Sequence, residues 1–136
     1  MSLITNEHVQ KDFQEAINCY NNGNYNAAMI MARRTIQQEM SHRKATGDNL
    51  YKQIQNSNLS QQQKKILDRV KNFGNHGAHS DFCLYDDNGD PFEDQKTVAE
   101  LSLKFLEIYF KIVYEIDALL EVAPDKSQKL SAEKSK

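Results

Sequence analysis

The sequence predicts an all-α protein, a compact antiparallel bundle of four to five helices with an acidic loop before a long C-terminal helix. Three observations carry that expectation. Apolar residues recur at spacings of three and four through most of the chain. Only five glycines and two prolines punctuate 136 residues, too few for the many turns of an all-β domain. The Asn21-Asn22-Gly23-Asn24 cluster separates two periodic stretches by so short a connection that they must lie antiparallel.

The first helix is expected over residues 6–20, with Asn6 as its N-cap and Val9, Phe13, Ile17 and Tyr20 along one face. A second follows from about Tyr25 to Met40, where Ala28, Met31, Thr35 and Ile36 lie near one face and the Ala27-Ala28 pair allows a close neighbour. A loop, SHRKATGDN, leads to a short helix over roughly 49–55. Ser60 then caps a fourth helix, with Gln63 at the capping-box position and Ile66, Leu67, Val70 and Phe73 on its apolar side. Gly74-Asn75 is expected to stop or bend it. Residues 81–94 hold six acidic side chains, no Lys or Arg, Asn88-Gly89 and Pro91. They read as an exposed loop or a small hairpin on the Asn-Gly turn.

The last helix is the longest, from 92 or 93 to about 121. Val98, Leu101, Phe105, Ile108, Ile112, Ile116 and Leu119 form its stripe, Tyr109, Val113 and Leu120 widen it, and Leu106 and Phe110 fall off centre, as if for a second surface. Pro124 ends it. The chain thus divides into a helical domain over 1–123 and a polar flexible tail over 124–136.

Charge excludes some function classes. Seventeen Lys and Arg against nineteen Asp and Glu give a net charge of −2, which rules out a uniformly basic nucleic-acid coat and leaves room for a basic pocket. The tail carries four lysines and two acids, so the domain itself is at −4. Cys19 and Cys83 form no Cys-x-x-Cys unit, and no disulfide framework or thiolate metal site follows. The N-terminal segment has no basic stretch followed by an apolar run, and charges interrupt the greasiest stretch too often for a membrane span. Cytoplasmic location, no membrane and no cofactor are the expectations.

The densest chemistry is DRVKNFGNHGAHS, residues 68–80. Arg69, Lys71, His76 and His79 are the candidate catalytic set. A histidine could take a proton from an attacking 2′-hydroxyl or give one to the leaving oxygen, while the cation stabilises charge on phosphoryl oxygens. The same segment also reads as a noncatalytic RNA or nucleotide site made by Arg33, Arg34, Lys71, Asn75 and His79, or as a structural stretch whose histidines only bond across helices. A metal centre lacks a third ligand, and the acidic loop lacks the glycine of an EF-hand. Basic groups also gather at the second helix and its exit, Arg33, Arg34, His42, Arg43 and Lys44. They could share one field with Lys64, Lys65, Arg69 and Lys71 if the second and fourth helices pack together.

Two separated signatures, NYNAAMIMARRTIQ and VKNFGNHGAH, resemble the bacterial family numbered 4145 among domains of unknown function, related to the HEPN helical domains. The resemblance covers roughly residues 8–122. It implies a HEPN-like helical bundle, often a homodimer, in proteins connected with nucleic acid and defence against foreign genetic elements. Many such proteins are metal-independent RNases with an arginine, four to six residues and a histidine; others dimerise or bind nucleotides without catalysis. Arg69 and His76 fit that spacing, whereas Gly74, Asn75 and His79 match the family's Gly-Asn-x-x-x-His element. Lys71 stands where arginine is expected. Arg33 matches the family arginine, with Gln37 where an acid is expected. Lysine lacks the planar fork by which arginine grips phosphate, and Gln37 cannot accept a salt bridge.

These readings converge on a noncatalytic helical interaction module that dimerises and binds RNA or a nucleotide. The alternatives are a metal-independent endoribonuclease and a small partner-binding protein that docks its acidic loop on a basic protein surface.

Overall fold

Hydrogen bonds at the helix starts show why the elements begin where they do. In the computed structural model, which describes residues 4, 6–78 and 95–122 (His76 to Ala78 and Asp117 by their backbone only), Asn6 Oδ1 accepts the backbone N–H groups of His8 and Val9 at 3.1 Å each. This caps α1, Glu7–Asn21, by satisfying donors the helix cannot. Gly23, at φ +80°, makes the turn into α2, Tyr25–His42. Asn49 Oδ1 accepts from Lys52 N–H at 2.9 Å and caps α3, Leu50–Asn56. Ser60 and Gln63 form the expected reciprocal box, Gln63 N–H to Ser60 Oγ at 3.1 Å and Ser60 N–H to Gln63 Oε1 at 3.0 Å, which starts α4, Gln61–Ala78. The last helix comprises α5, Gln95–Phe110, a π-helical turn over Lys111–Glu115, and α6, Ile116–Val122.

The packing is that of a compact helical bundle, with no strand among the described residues. α2 is its central helix and touches α1, α3, α4 and α5. Small residues on its buried face, Ala28, Ala32 and Thr35, let those neighbours approach closely. The main core joins Val9, Ile36, Met40, Ile54, Leu67, Val70, Leu106 and Tyr109. A second cluster, Ala28, Met29, Phe73, Val98 and Ala99, closes the end where α4 nears α5. Among the described residues no helix is long and apolar enough to cross a membrane.

Two expectations are corrected. Gly74 does not end the fourth helix, which continues to Ala78. Its missing side chain serves close packing, as shown below. Leu106 and Phe110 are not a second surface, for both are buried in the core. The buried line on the last helix runs through Val98, Ser102, Leu106, Tyr109, Phe110, Val113 and Tyr114. Ile108 and Ile116, placed in the core by the stripe, are 47% and 52% exposed. Two apolar lines about one position apart run along this helix; the centre of the expected stripe follows the outer one, whereas Tyr109 and Val113, expected to widen it, are buried and Leu120 is exposed. The acidic segment 81–94, His79 and the tail lie outside the described residues.

Candidate functional site

The two segments that stand out in the sequence meet in space. Gly74 is buried against α2, and a Cβ on it would overlap Arg33 Cβ and come within 2.9 Å of Arg33 Cδ and 3.0 Å of Cγ. The missing side chain therefore gives the Arg33 stem its place between the helices. Arg33 is half-buried, and its Nε is buried without a hydrogen-bond partner. No carboxylate pairs with it among the described residues. On α2, Asn26 lies seven residues before Arg33, two turns along the same face, and its buried Oδ1 also lacks a partner. A buried guanidinium donor left unpaired costs free energy. It is the group best suited to gain from an anionic oxygen.

Lys71 and Asn75 flank Gly74 on the adjoining side of α4, and both are half-buried. Lys71 is held in place. Its Nζ lies 3.2 Å from Asp68 Oδ1 and 5.1 Å from the centre of the Tyr51 ring on α3. Arg33, Lys71 and Asn75 are thus gathered at one junction of α2, α3 and α4.

The remaining candidates lie elsewhere. Arg34 points toward α1, where its Nε is 3.4 Å from Asp12 Oδ2, an ion pair without hydrogen-bond alignment. Arg69 is exposed and sits about 140° around α4 from Gly74. His76 is two turns after Arg69 on the same unbroken helix. Other basic groups are already engaged. Arg43 pairs with Glu39, Lys64 Nζ donates to Gln55 O at 2.8 Å, and His42 Nδ1 is 3.1 Å from Asn6 Nδ2. The broad field of basic groups on the second and fourth helices is therefore dispersed. Among the described residues no group of three or more His, Cys, Asp or Glu could hold a metal ion.

One polar constellation has no counterpart in the sequence reading. Glu39 is fully buried on α2 and accepts from Tyr109 Oη at 2.6 Å, Tyr114 Oη at 2.5 Å and Arg43 Nε at 3.2 Å. The Arg43 guanidinium also lies over the Tyr114 ring, 5.8 Å from its centre. Burial, together with the Glu39 charge and the hydrogen bond to it, pushes both phenols well above their ordinary value. The available signal was Glu39 itself, an acid three and four residues after Ile36 and Thr35 on the apolar face.

No curated protein and no solved structure matches the chain. The model of the family described as "Domain of unknown function (DUF4145)" matches residues 14–133, a span that includes both the Arg33 segment and the Gly74 segment. The chain belongs to that family.

Proposed function

We propose that this protein is a noncatalytic helical interaction module that binds a phosphate of an RNA or a nucleotide at Arg33 and self-associates through its last helix. The observation that carries the binding reading is the unpaired buried Nε of Arg33, fixed by Gly74 beside Lys71 and Asn75. Guanidinium presents donors in a planar fork that fits phosphate. A ligand that supplies acceptor oxygens to the guanidinium meets a cation that no carboxylate neutralises among the described residues, and Lys71 adds positive charge one turn away. A nucleic-acid partner suits a chain of net charge −2 only if binding is local, and this junction is local.

A second reading, metal-independent RNA cleavage, has its own observation. Arg69 and His76 stand seven residues apart on one continuous helix, which keeps their spacing rigid. They lie away from the Arg33 side of α4, so the two readings use different residues and separate cleanly by mutation.

One experiment tests both. Fluorescence anisotropy in EDTA follows a labelled mixed-sequence single-stranded RNA and labelled ATP, and the same mixtures are run on gels for cleavage. Arg33→Gln keeps the stem against Gly74 and removes the charge. A charged hydrogen bond contributes about 1.5–3 kcal/mol, so binding is expected to weaken by about ten- to a hundredfold. Arg34→Gln breaks the pair with the buried Asp12 on the α1 side, away from the Arg33 junction, and is expected to change binding by about twofold or less. A folded Arg33→Gln protein that binds as tightly as wild type overturns the proposal, as does wild type that binds neither ligand. Cleavage in EDTA that disappears with Arg69→Gln or His76→Ala establishes the enzyme instead.

A further inference from the structure

Tyr51 opens α3 on the side that faces Lys71. The residue is 51% exposed, and the Lys71 ammonium lies over one face of its ring. Large aromatic side chains usually bury most of their area, so a half-open ring held by a lysine is informative. Lys71 is paired in turn with Asp68 at 3.2 Å, without hydrogen-bond alignment, and it sits one turn, about 5 Å along the α4 axis, from the Gly74 that seats Arg33. An open aromatic, an ammonium and a guanidinium whose Nε has no hydrogen-bond partner therefore follow one another across the junction of α3, α4 and α2.

We infer that Tyr51 is a stacking platform for the nucleobase of the nucleotide whose phosphate Arg33 holds. The inference rests on the phosphate reading above and adds the base to it. A nucleotide has a flat π-face joined to an anion through a sugar, and the junction supplies a complement to each part. Stacking on an aromatic side chain tolerates any base because every base has a π-face. Lys71 contributes twice. Its ammonium restricts the ring before the ligand arrives, which reduces the ordering cost of binding, and its charge lies between the base and phosphate positions. The site thus takes a nucleobase joined to phosphate, supplied by a free nucleotide or by a single-stranded RNA.

The test compares full-length wild type, Tyr51→Leu, Tyr51→Phe and Arg33→Gln against three labelled probes. These are a short mixed-sequence single-stranded RNA, the same sugar-phosphate backbone without bases, and ATP. Tyr51 is exposed, so its variants are expected to fold, and melting curves and helical circular dichroism verify that they do. Tyr51→Leu is expected to weaken binding of the RNA by about five- to a hundredfold, the loss of one stacked base, and to leave the abasic backbone unaffected. Tyr51→Phe keeps the ring and is expected to bind as wild type does. The same pattern with ATP identifies a free nucleotide as a ligand of the site, and its restriction to RNA identifies the strand; either agrees with stacking. RNA and ATP binding by Tyr51→Leu at wild-type strength, with Arg33→Gln weakened, overturns the platform and spares the phosphate site. An equal loss on the abasic backbone also overturns it, because Tyr51 would then act through Lys71 rather than on a base. Arg33→Gln binding at wild-type strength is the separate result that removes the phosphate reading.

Discussion

Gly74 shows how one residue can carry two meanings that the chain alone does not separate. A glycine near the end of an amphipathic stretch reads as a helix stop, since it tolerates positive φ. Here it lies inside a helix, and its role is the space it leaves for Arg33. The two roles predict opposite outcomes for Gly74→Ala. An ordinary helix interior would gain about 1 kcal/mol from alanine's propensity. The new methyl would instead overlap Arg33 Cβ, an atom fixed to the α2 backbone that cannot swing away, so the helices must separate. Overpacking of this kind costs about 1–3 kcal/mol and outweighs the propensity gain. Urea denaturation of Gly74→Ala is therefore expected to show a protein less stable than wild type; equal or higher stability would place Gly74 in open space. The same contact explains why the site was only half legible. Arg33, Lys71 and Asn75 stand in recognisable motifs, but the pairing of Arg34 with Asp12 and the unpaired state of Arg33 depend on which way two adjacent side chains diverge from α2. Asn26 was not legible, because nothing in its neighbours marks an asparagine whose oxygen will be buried.

At the scale of elements, the caps were readable because they are local, as the Ser60–Gln63 box shows. The rotation of the last helix was not. In an unbroken α-helix, residues five apart diverge by about 140°, and Tyr109 and Tyr114 could not both reach one carboxylate. The π turn over Lys111–Glu115 widens the local repeat to i→i+5 bonding and sets both phenols on Glu39. It also displaces the turns that follow it, and Ile116 with them, whereas Ile108 precedes it and is exposed because it stands one position from the buried Tyr109. The network makes a prediction about pH. Both phenols are raised above their ordinary value of 10.0 in the folded protein, so the unfolded chain loses these protons first. Their contribution is therefore complete below pH 10 and is lost as pH rises above it. The slope is at most about 1.4 kcal/mol per pH unit for each phenol. Denaturation midpoints measured on both sides of pH 10 are expected to fall more steeply for wild type than for Tyr114→Phe. That variant is also expected to lose about 1.5–3 kcal/mol at neutral pH, the worth of a hydrogen bond to a charged acceptor. Equal slopes in the two proteins would mean that Tyr114 ionises as freely folded as unfolded.

Considered whole, the molecule sets six of its described Lys and Arg beside carboxylates, on surface pairs such as Lys104–Glu100 and Lys111–Glu107 and in the interior at Arg43–Glu39, and scatters the others over several helices. This arrangement favours a small recognition site over a broad electrostatic track. The all-α bundle was legible from apolar spacing, whereas the surface left for association was not, because it depends on where the π turn leaves the chain. Leu106 and Phe110 seal the core. The apolar excess lies further along, at Ile116, Leu119 and Leu120, the last two 60% and 67% exposed. Among the described elements α6 packs against the π turn it continues and no other. Seven residues of helix gain little stability alone, and a cluster of exposed large apolar residues marks a contact surface. A second copy that presents the same face would cover these residues by two-fold symmetry. Light scattering after size exclusion is expected to give a concentration-dependent dimer. Each large apolar side chain buried there contributes about 1.5–3 kcal/mol, so replacing Leu119 and Leu120 by glutamate is expected to weaken self-association by a hundredfold or more. The same variant should keep its melting temperature as a monomer and its binding at Arg33, since neither leucine belongs to the core or to the α2–α4 junction. Wild type that stays monomeric at every concentration would remove the dimer, and a dimer unaffected by the two glutamates would place its interface on another face.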